Sequence, residues 1–201
     1  MELQPFNQRI RIHVVQLGAA VLAGIILLAQ PAWEGNAHEL TEMTGFGLVL
    51  LCVAGRMWSI LYVGSKKNRE LVMSGPYSMT RNPLYFFSTI GAVGVGLIYG
   101  SFLVAVLSGV VTYGIFIATA AKEEQYLRSV FGRQYDAYAE RTPIFWPRIS
   151  LYQDSEHVLF SPIALKRTFI DGLYFLAVFP VIEILEYAHV KGILPTFLII
   201  F

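Results

Sequence analysis

Charge is what this sequence has least of: Asp, Glu, Lys and Arg supply 14% of its 201 residues, against about 25% in soluble domains. That scarcity argues against an ordinary soluble domain. A single cysteine, Cys52, excludes an internal disulfide, and its apolar neighbours make it a buried thiol. The four histidines, His13, His38, His157 and His189, are far apart and lack ligand spacing, so no metal site is expected. Neither a glycine-rich dinucleotide fingerprint nor a phosphate-binding loop occurs. The arginines of the N-terminal stretch precede an apolar run with no small-residue cleavage site, so this stretch reads as a first membrane span.

What is present is apolar: 55% of residues are hydrophobic and the mean hydropathy is +0.55. A bilayer core takes roughly 20 apolar residues per helix. Candidate spans are Ile12–Ala29, Met43–Gly64, Leu84–Ile98, Phe102–Ala121 and about Phe169–Ala188. Only Tyr99-Gly100-Ser101 separates the third from the fourth, which implies an antiparallel hairpin. The expected fold is all-α, a polytopic membrane bundle of about five transmembrane helices with a cytoplasmic amphipathic extension. One domain covers 1–201, with a core over 56–147, a connector over 148–168 and a fifth helix over 169–190. After Lys122, Tyr126, Leu127, Val130 and Phe131 keep helical spacing, so the fourth helix should continue, bend or break at Gly132 and stop by Pro143. The apolar tail from Ile193 is too short to span, and should lie at the interface or on the bundle. Gly91, Gly94, Gly96, Gly109 and Gly114 suit close helix packing.

Orientation follows from lysine and arginine. The segment after span one carries Glu34, Glu39 and Glu42 and no basic residue. Arg9, Arg11, Lys66, Lys67, Arg69, Arg81, Lys122, Arg128, Arg133, Arg141, Arg148, Lys166 and Arg167 fall on the other side. The N-terminus is therefore expected in the cytoplasm of a bacterial inner-membrane protein. Topology and anionic headgroups account for these cations, so no nucleic-acid partner is expected.

Two stretches on that side could carry chemistry. In the first, Leu71 to Tyr85, Gly75-Pro76 marks a turn and Arg81-Asn82-Pro83 an extended approach, with Pro83 at the first helical position. Backbone N–H groups beyond Pro83 lack helical partners and suit a carboxylate; equally, this is a capped membrane helix whose arginine meets lipid phosphate. In the second, Lys122-Glu123-Glu124, adjacent carboxylates need cationic partners, with Arg81 and Lys122 as candidates. Arg56, inside span two, is either a functional residue or one that snorkels to the interface. Glu183 and Glu186 lie at the opposite end of span five.

Taken in order, these pieces resemble the integral membrane methyltransferases typified by the isoprenylcysteine carboxyl methyltransferases, which include phospholipid N-methyltransferases. The resemblance runs from Arg56 to Pro147. It rests on Arg56-Met57-Trp58, Leu71-Val72, Gly75-Pro76-Tyr77, Arg81-Asn82-Pro83-Leu84-Tyr85, Glu123-Glu124 and Phe131-Gly132-Arg133-Gln134-Tyr135. It implies an S-adenosylmethionine site made by Leu71, Val72, Tyr77, Asn82, Pro83, Leu84, Tyr85 and Glu123. It also implies catalytic roles for Arg81 and Glu124, and substrate contacts from Arg56 and Thr119. Asn82 replaces a histidine of the family pattern and cannot titrate. Thr119 replaces an arginine implied to hold a prenylcysteine carboxylate, a task that would pass to Arg56 or Arg128.

The function read from the sequence is methyl transfer from S-adenosylmethionine to a lipophilic substrate, with a prenylcysteine-like carboxylate, a lipid amine or a thiol as acceptor. A sterol-type membrane reductase and a non-catalytic lipid-binding scaffold are the other classes weighed. The reductase would need a nicotinamide site, and the scaffold would tolerate replacement of every motif residue.

Overall fold

In lipid the backbone can satisfy its polar groups only internally, so long apolar runs become helices. The computed structural model describes residues 24, 29–31, 35–64, 70–195 and 197–200. The helices are α1 (Asn36–Val63), α2 (Pro76–Met79), α3 (Pro83–Ile98), α4 (Phe102–Phe131), α5 (Arg133–Arg141) and α6 (Pro162–Val190), with a 3-10 turn at Ile149–Leu151. Apart from Gly24 and Ala29, the first predicted span lies outside the described residues, as do Arg9, Arg11, Lys66, Lys67 and Arg69.

Three helices, α1, α4 and α6, are long and apolar enough to cross a membrane. The predicted third span, α3, has only 16 residues, or about 24 Å at 1.5 Å per residue. It packs against α1 on one side and α4 on the other. Eight of its residues are buried, among them Gly91, Gly94 and Gly96. A Cβ added at Gly94 would sit 2.7 Å from the Gly45 carbonyl oxygen, so the α1 and α3 backbones are in contact there. Gly114, expected to do the same, faces open space, because it lies on the outward side of α4.

The α3–α4 hairpin turns at the expected joint. Gly100 adopts φ 78°, its N–H donates to Leu97 O at 2.9 Å, and the Ser101 N–H donates to Gly96 O at 3.2 Å. These two bonds close α3 with a left-handed cap. The Ser101 side chain then caps α4 by accepting from the Val104 N–H. As the spacing predicts, α4 runs on to Phe131, breaks at Gly132 (φ 52°), and α5 ends at Arg141, just before Pro143.

The all-α expectation needs one amendment. Residues Leu198–Ile200 of the tail pair in parallel with Ala29–Pro31, in register Ala29 to Leu198. Three residues of extended chain, too few for a helical turn, find backbone partners in each other.

Candidate active site

The turn between α2 and α3 is built by a segment some 60 residues downstream. The Arg148 N–H donates to Met79 O at 3.0 Å and the Arg81 N–H to Pro143 O at 2.8 Å. Thr80 Oγ1 donates to Phe145 O at 2.9 Å, and Asn82 Nδ2 to Ile144 O at 2.9 Å. Residues 143–148 thus form a strap along 79–82. Phe145, 1% exposed, anchors the strap edge-on to Tyr113 at 4.7 Å and to Phe86 at 6.1 Å. Asn82, at the family's histidine position, therefore spends its amide holding the strap.

At the head of α3, the Tyr85 and Phe86 N–H groups both donate to the Asn82 carbonyl at 3.1 Å. The expectation of free helix-start donors is corrected to this extent, since a tight first turn satisfies Tyr85 locally. Tyr85 projects towards α4. Its hydroxyl donates to Glu123 Oε1 at 2.9 Å, and its ring stacks on Phe116 at 4.6 Å. Phe116, Thr119 and Glu123 follow one another at helical spacing on this face of α4. Thr119 is buried, with its hydroxyl donating to Ile115 O at 2.8 Å.

Arg81 provides the cation sought for the glutamate pair. Its Nη1 lies 3.0 Å from Glu124 Oε1 and donates to the Tyr135 hydroxyl at 3.3 Å. Arg128 reaches the same glutamate oxygen at 2.9 Å and Asp136 at 3.5 Å. Burial lowers the Arg81 pKa, but the bonds to Tyr135 and Glu124 outweigh it and hold the group above its ordinary value. Burial raises the Tyr135 phenol, against the pull of Arg81. The anions sit two turns before the end of α4, clear of the negative end of its dipole.

Tyr77 is buried in α2, and the Tyr138 hydroxyl donates to its carbonyl at 2.7 Å. Burial pushes both phenols well above their usual range. Leu71 and Val72 line a cavity of ≈ 290 Å³ with Tyr62, Arg141, Gln153 and His157, whereas Tyr77, Asn82–Tyr85 and Glu123 are not in its lining. The eight predicted cofactor contacts are therefore divided: Leu71 and Val72 line that cavity, Tyr77 is buried in α2, and Asn82–Tyr85 and Glu123 lie where α3 meets α4. A second strap, over residues 153–158, lines one side of the cavity: the Gly75 N–H donates to Gln153 O at 2.7 Å, and the Tyr62 hydroxyl to Asp154 Oδ1 at 2.6 Å.

Arg56 is held away from Thr119, towards α6. Its Nη1 donates to Ser88 Oγ at 2.5 Å, and its Nη2 lies 3.5 Å from Asp171. Glu186 pairs with His38 at 3.5 Å instead. Sequence reasoning missed Tyr138, Asp154 and Asp171. For Tyr138 a signal existed, because Tyr135 and Tyr138 are the only buried positions of an otherwise polar α5 and three residues apart on one helical face. Among the described residues, no group of three or more His, Cys, Asp or Glu side chains is arranged to hold a metal ion.

The phospholipid methyltransferase family matches residues 42–134. Over 199 residues the chain is 30% identical to the nickel-cobalt-cadmium resistance protein NccN of Alcaligenes xylosoxydans xylosoxydans, covering 98% of this chain and 93% of that one. It is 32% identical over 193 residues to the cobalt-zinc-cadmium resistance protein CzcN of Cupriavidus metallidurans, covering 96% and 89%. Protein-S-isoprenylcysteine O-methyltransferase B of Arabidopsis thaliana is 32% identical over 94 residues, 46% of this chain and 48% of that protein. No solved structure matches. With three helices long and apolar enough to cross a membrane among the described residues, and with these relatives, the chain belongs to the integral membrane methyltransferase family of the phospholipid methyltransferases and protein-S-isoprenylcysteine O-methyltransferases.

Proposed function

We propose that this enzyme transfers a methyl group from S-adenosylmethionine to a lipophilic acceptor that reaches the site through the bilayer. The observation that carries this reading is the Tyr85–Glu123 bond, which sets a carboxylate and an aromatic face together at a helix start. The donor set suits the cofactor's chemistry: a carboxylate can accept from its hydroxyls or amino group, and tyrosine faces favour a cation. When bound, the cofactor would supply an electrophilic methyl group to the acceptor and be left as a neutral thioether.

On this reading Tyr77, Asn82, Pro83, Leu84, Tyr85 and Glu123 hold the cofactor, with Leu71 and Val72 beside it. Arg81 and Glu124, bonded to each other, act as positioning residues that keep the turn against α4. Arg56 and Thr119 are acceptor contacts by the resemblance alone, Arg56 on the α1 side of α3 and Thr119 on its α4 side. Positioning alone can supply about 7–11 kcal/mol of the barrier. The acceptor atom is a carboxylate oxygen, an amine or a thiol.

The reading includes five spans within a single domain over 1–201, a core over 56–147, a connector over 148–168 and a fifth helix over 169–190. It also puts the N-terminus and the site on the cytoplasmic side of a bacterial inner membrane. The full-length likeness to two metal-resistance proteins supports a physiological setting of divalent-metal stress. Titration of the purified protein with S-adenosylhomocysteine by calorimetry tests the core of the proposal. Binding in wild type that is lost in Glu123→Ala and Tyr85→Ala is expected; no wild-type binding overturns it.

A further inference from the structure

Arg56 lies about 10 Å along α1 from its Val63 end, at ~1.5 Å per residue, and so within the membrane. There its guanidinium is incompletely used. Ser88, whose own hydroxyl donates to Leu84 O at 2.7 Å, presents a fixed acceptor to one nitrogen. The Phe175 ring lies 5.9 Å from the guanidinium carbon. Nε is buried with no hydrogen-bond partner. The counter-ion, Asp171, stands at 3.5 Å, longer than the 2.7–2.9 Å of a well-formed charge-assisted bond.

Exposure differs sharply across that pair. The Arg56 side chain is 18% exposed and the Asp171 side chain 50%. Asp171 shares its stretch of α6 with Ile170, Leu173 and Tyr174, all exposed apolar residues on a membrane-crossing helix. Gly172 instead faces inward onto Val53. The guanidinium is thus sealed by α1 and α3 behind, and covered on the lipid side by one loosely held carboxylate. Intramembrane charges are costly and mark functional sites by default. A planar fork of N–H donors suits carboxylate or phosphate oxygens.

We infer that Arg56 is the docking point for the anionic group of a bilayer-resident amphiphile, and that Asp171 occupies this point until the amphiphile displaces it. The inference rests on the lipophilic acceptor proposed above and assigns the fifth predicted span a part in choosing it. Asp171 is a specificity-determining residue in this scheme, because an uncharged amphiphile has nothing to exchange for the ion pair.

The test uses the full chain in nanodiscs of zwitterionic lipid, with Trp33 and Trp146 replaced by Phe so that Trp58, two residues along α1 from Arg56, reports alone. Dibrominated stearic acid, under conditions where it is ionised, and dibrominated stearyl alcohol are titrated as quenchers. Wild type is expected to bind the acid several-fold more tightly than the alcohol. Asp171→Asn should tighten the acid by about ten-fold, equivalent to 1.4 kcal/mol, and leave the alcohol unchanged. Arg56→Gln should abolish the preference. Equal binding of acid and alcohol in wild type and Asp171→Asn overturns the proposal, as does a preference that survives Arg56→Gln. Displacement by millimolar inorganic phosphate would reveal a water-facing anion site and also overturns it. Should Arg56→Gln fail to fold, Asp171→Asn decides alone, and unchanged acid affinity counts against the idea. Calorimetry with S-adenosylhomocysteine on the same samples keeps the outcomes separate, since its failure sinks the cofactor reading without touching the quenching result.

Discussion

The Tyr85 phenol donates to Glu123 Oε1 at 2.9 Å, tying the first turn of α3 to the polar end of α4. The two residues are brought together by the buried hairpin at Tyr99-Gly100-Ser101, where Tyr99 is 2% and Ser101 0% exposed. If this pair holds the cofactor, removing either partner should weaken the same interaction. Tyr85→Phe, which keeps the Phe116 stack, should lower S-adenosylhomocysteine affinity by roughly ten- to a hundred-fold, as the ~1.5–3 kcal/mol of a bond to a charged group implies. Glu123→Gln should cost at least as much, and the double variant no more than the larger single effect. Calorimetric constants that add fully would mean the two groups act apart.

Arg81 and Glu124 are 12% and 18% exposed. Arg81→Gln leaves Glu124 with Arg128 alone and should lower stability by about 1.5–3 kcal/mol, the worth of a bond to a charged group. Arg81→Gln with Glu124→Gln should recover part of that loss, because no half-buried carboxylate is left short of its inner partner. Thermal unfolding in detergent gives the comparison, and a double variant less stable than either single one would speak against the pairing.

Gly94→Ala drives a methyl group against the Gly45 backbone and should cost roughly 1–3 kcal/mol, as overpacking does. Gly114→Ala meets open space and should leave the unfolding temperature unchanged or slightly higher. The two transitions should separate clearly.

Asp154 accepts from Tyr62, from Tyr152 and from the Ser155 N–H, and these bonds hold its carboxyl below the ordinary value of 3.8. A folded-state pKa that is depressed contributes stability above the unfolded value, and that stability is lost as pH falls through the folded one. The strap over residues 148–161 should therefore loosen only below about pH 4, near the ordinary carboxyl range. Hydrogen exchange in this segment, measured against pH, should show the change in wild type and not in Asp154→Asn.

Much of this architecture was legible in local sequence. The three-residue joint at 99–101, the continuation of α4 past Glu124, the break at Gly132 and the stop before Pro143 each depend on neighbours within a turn or two. The identity of Glu124's partner was also within reach, since an arginine on the same side was required by charge. What local sequence does not hold is rotation and depth. That Arg56 meets Asp171, and that Gly114 faces outward, depend on how each helix is turned about its axis. The strap of 143–148 on 79–82 joins segments some 60 residues apart, through two backbone bonds and two side-chain donors onto distant carbonyls, which no local pattern reveals. The division of the predicted cofactor contacts arises because Leu71 and Val72 precede the Gly75 turn while Asn82–Tyr85 follow it.

The shortness of α3 has a consequence for access. A helix of 16 residues, about 24 Å long, falls short of a hydrocarbon layer roughly 30 Å thick. A hairpin that turns at one boundary of that layer therefore begins its short arm about 6 Å inside the other. Pro83 and the turn before it, buried beneath the strap of 143–148, would then lie below the headgroups and not among them. At such a depth a greasy acceptor could meet the cofactor without leaving its own phase.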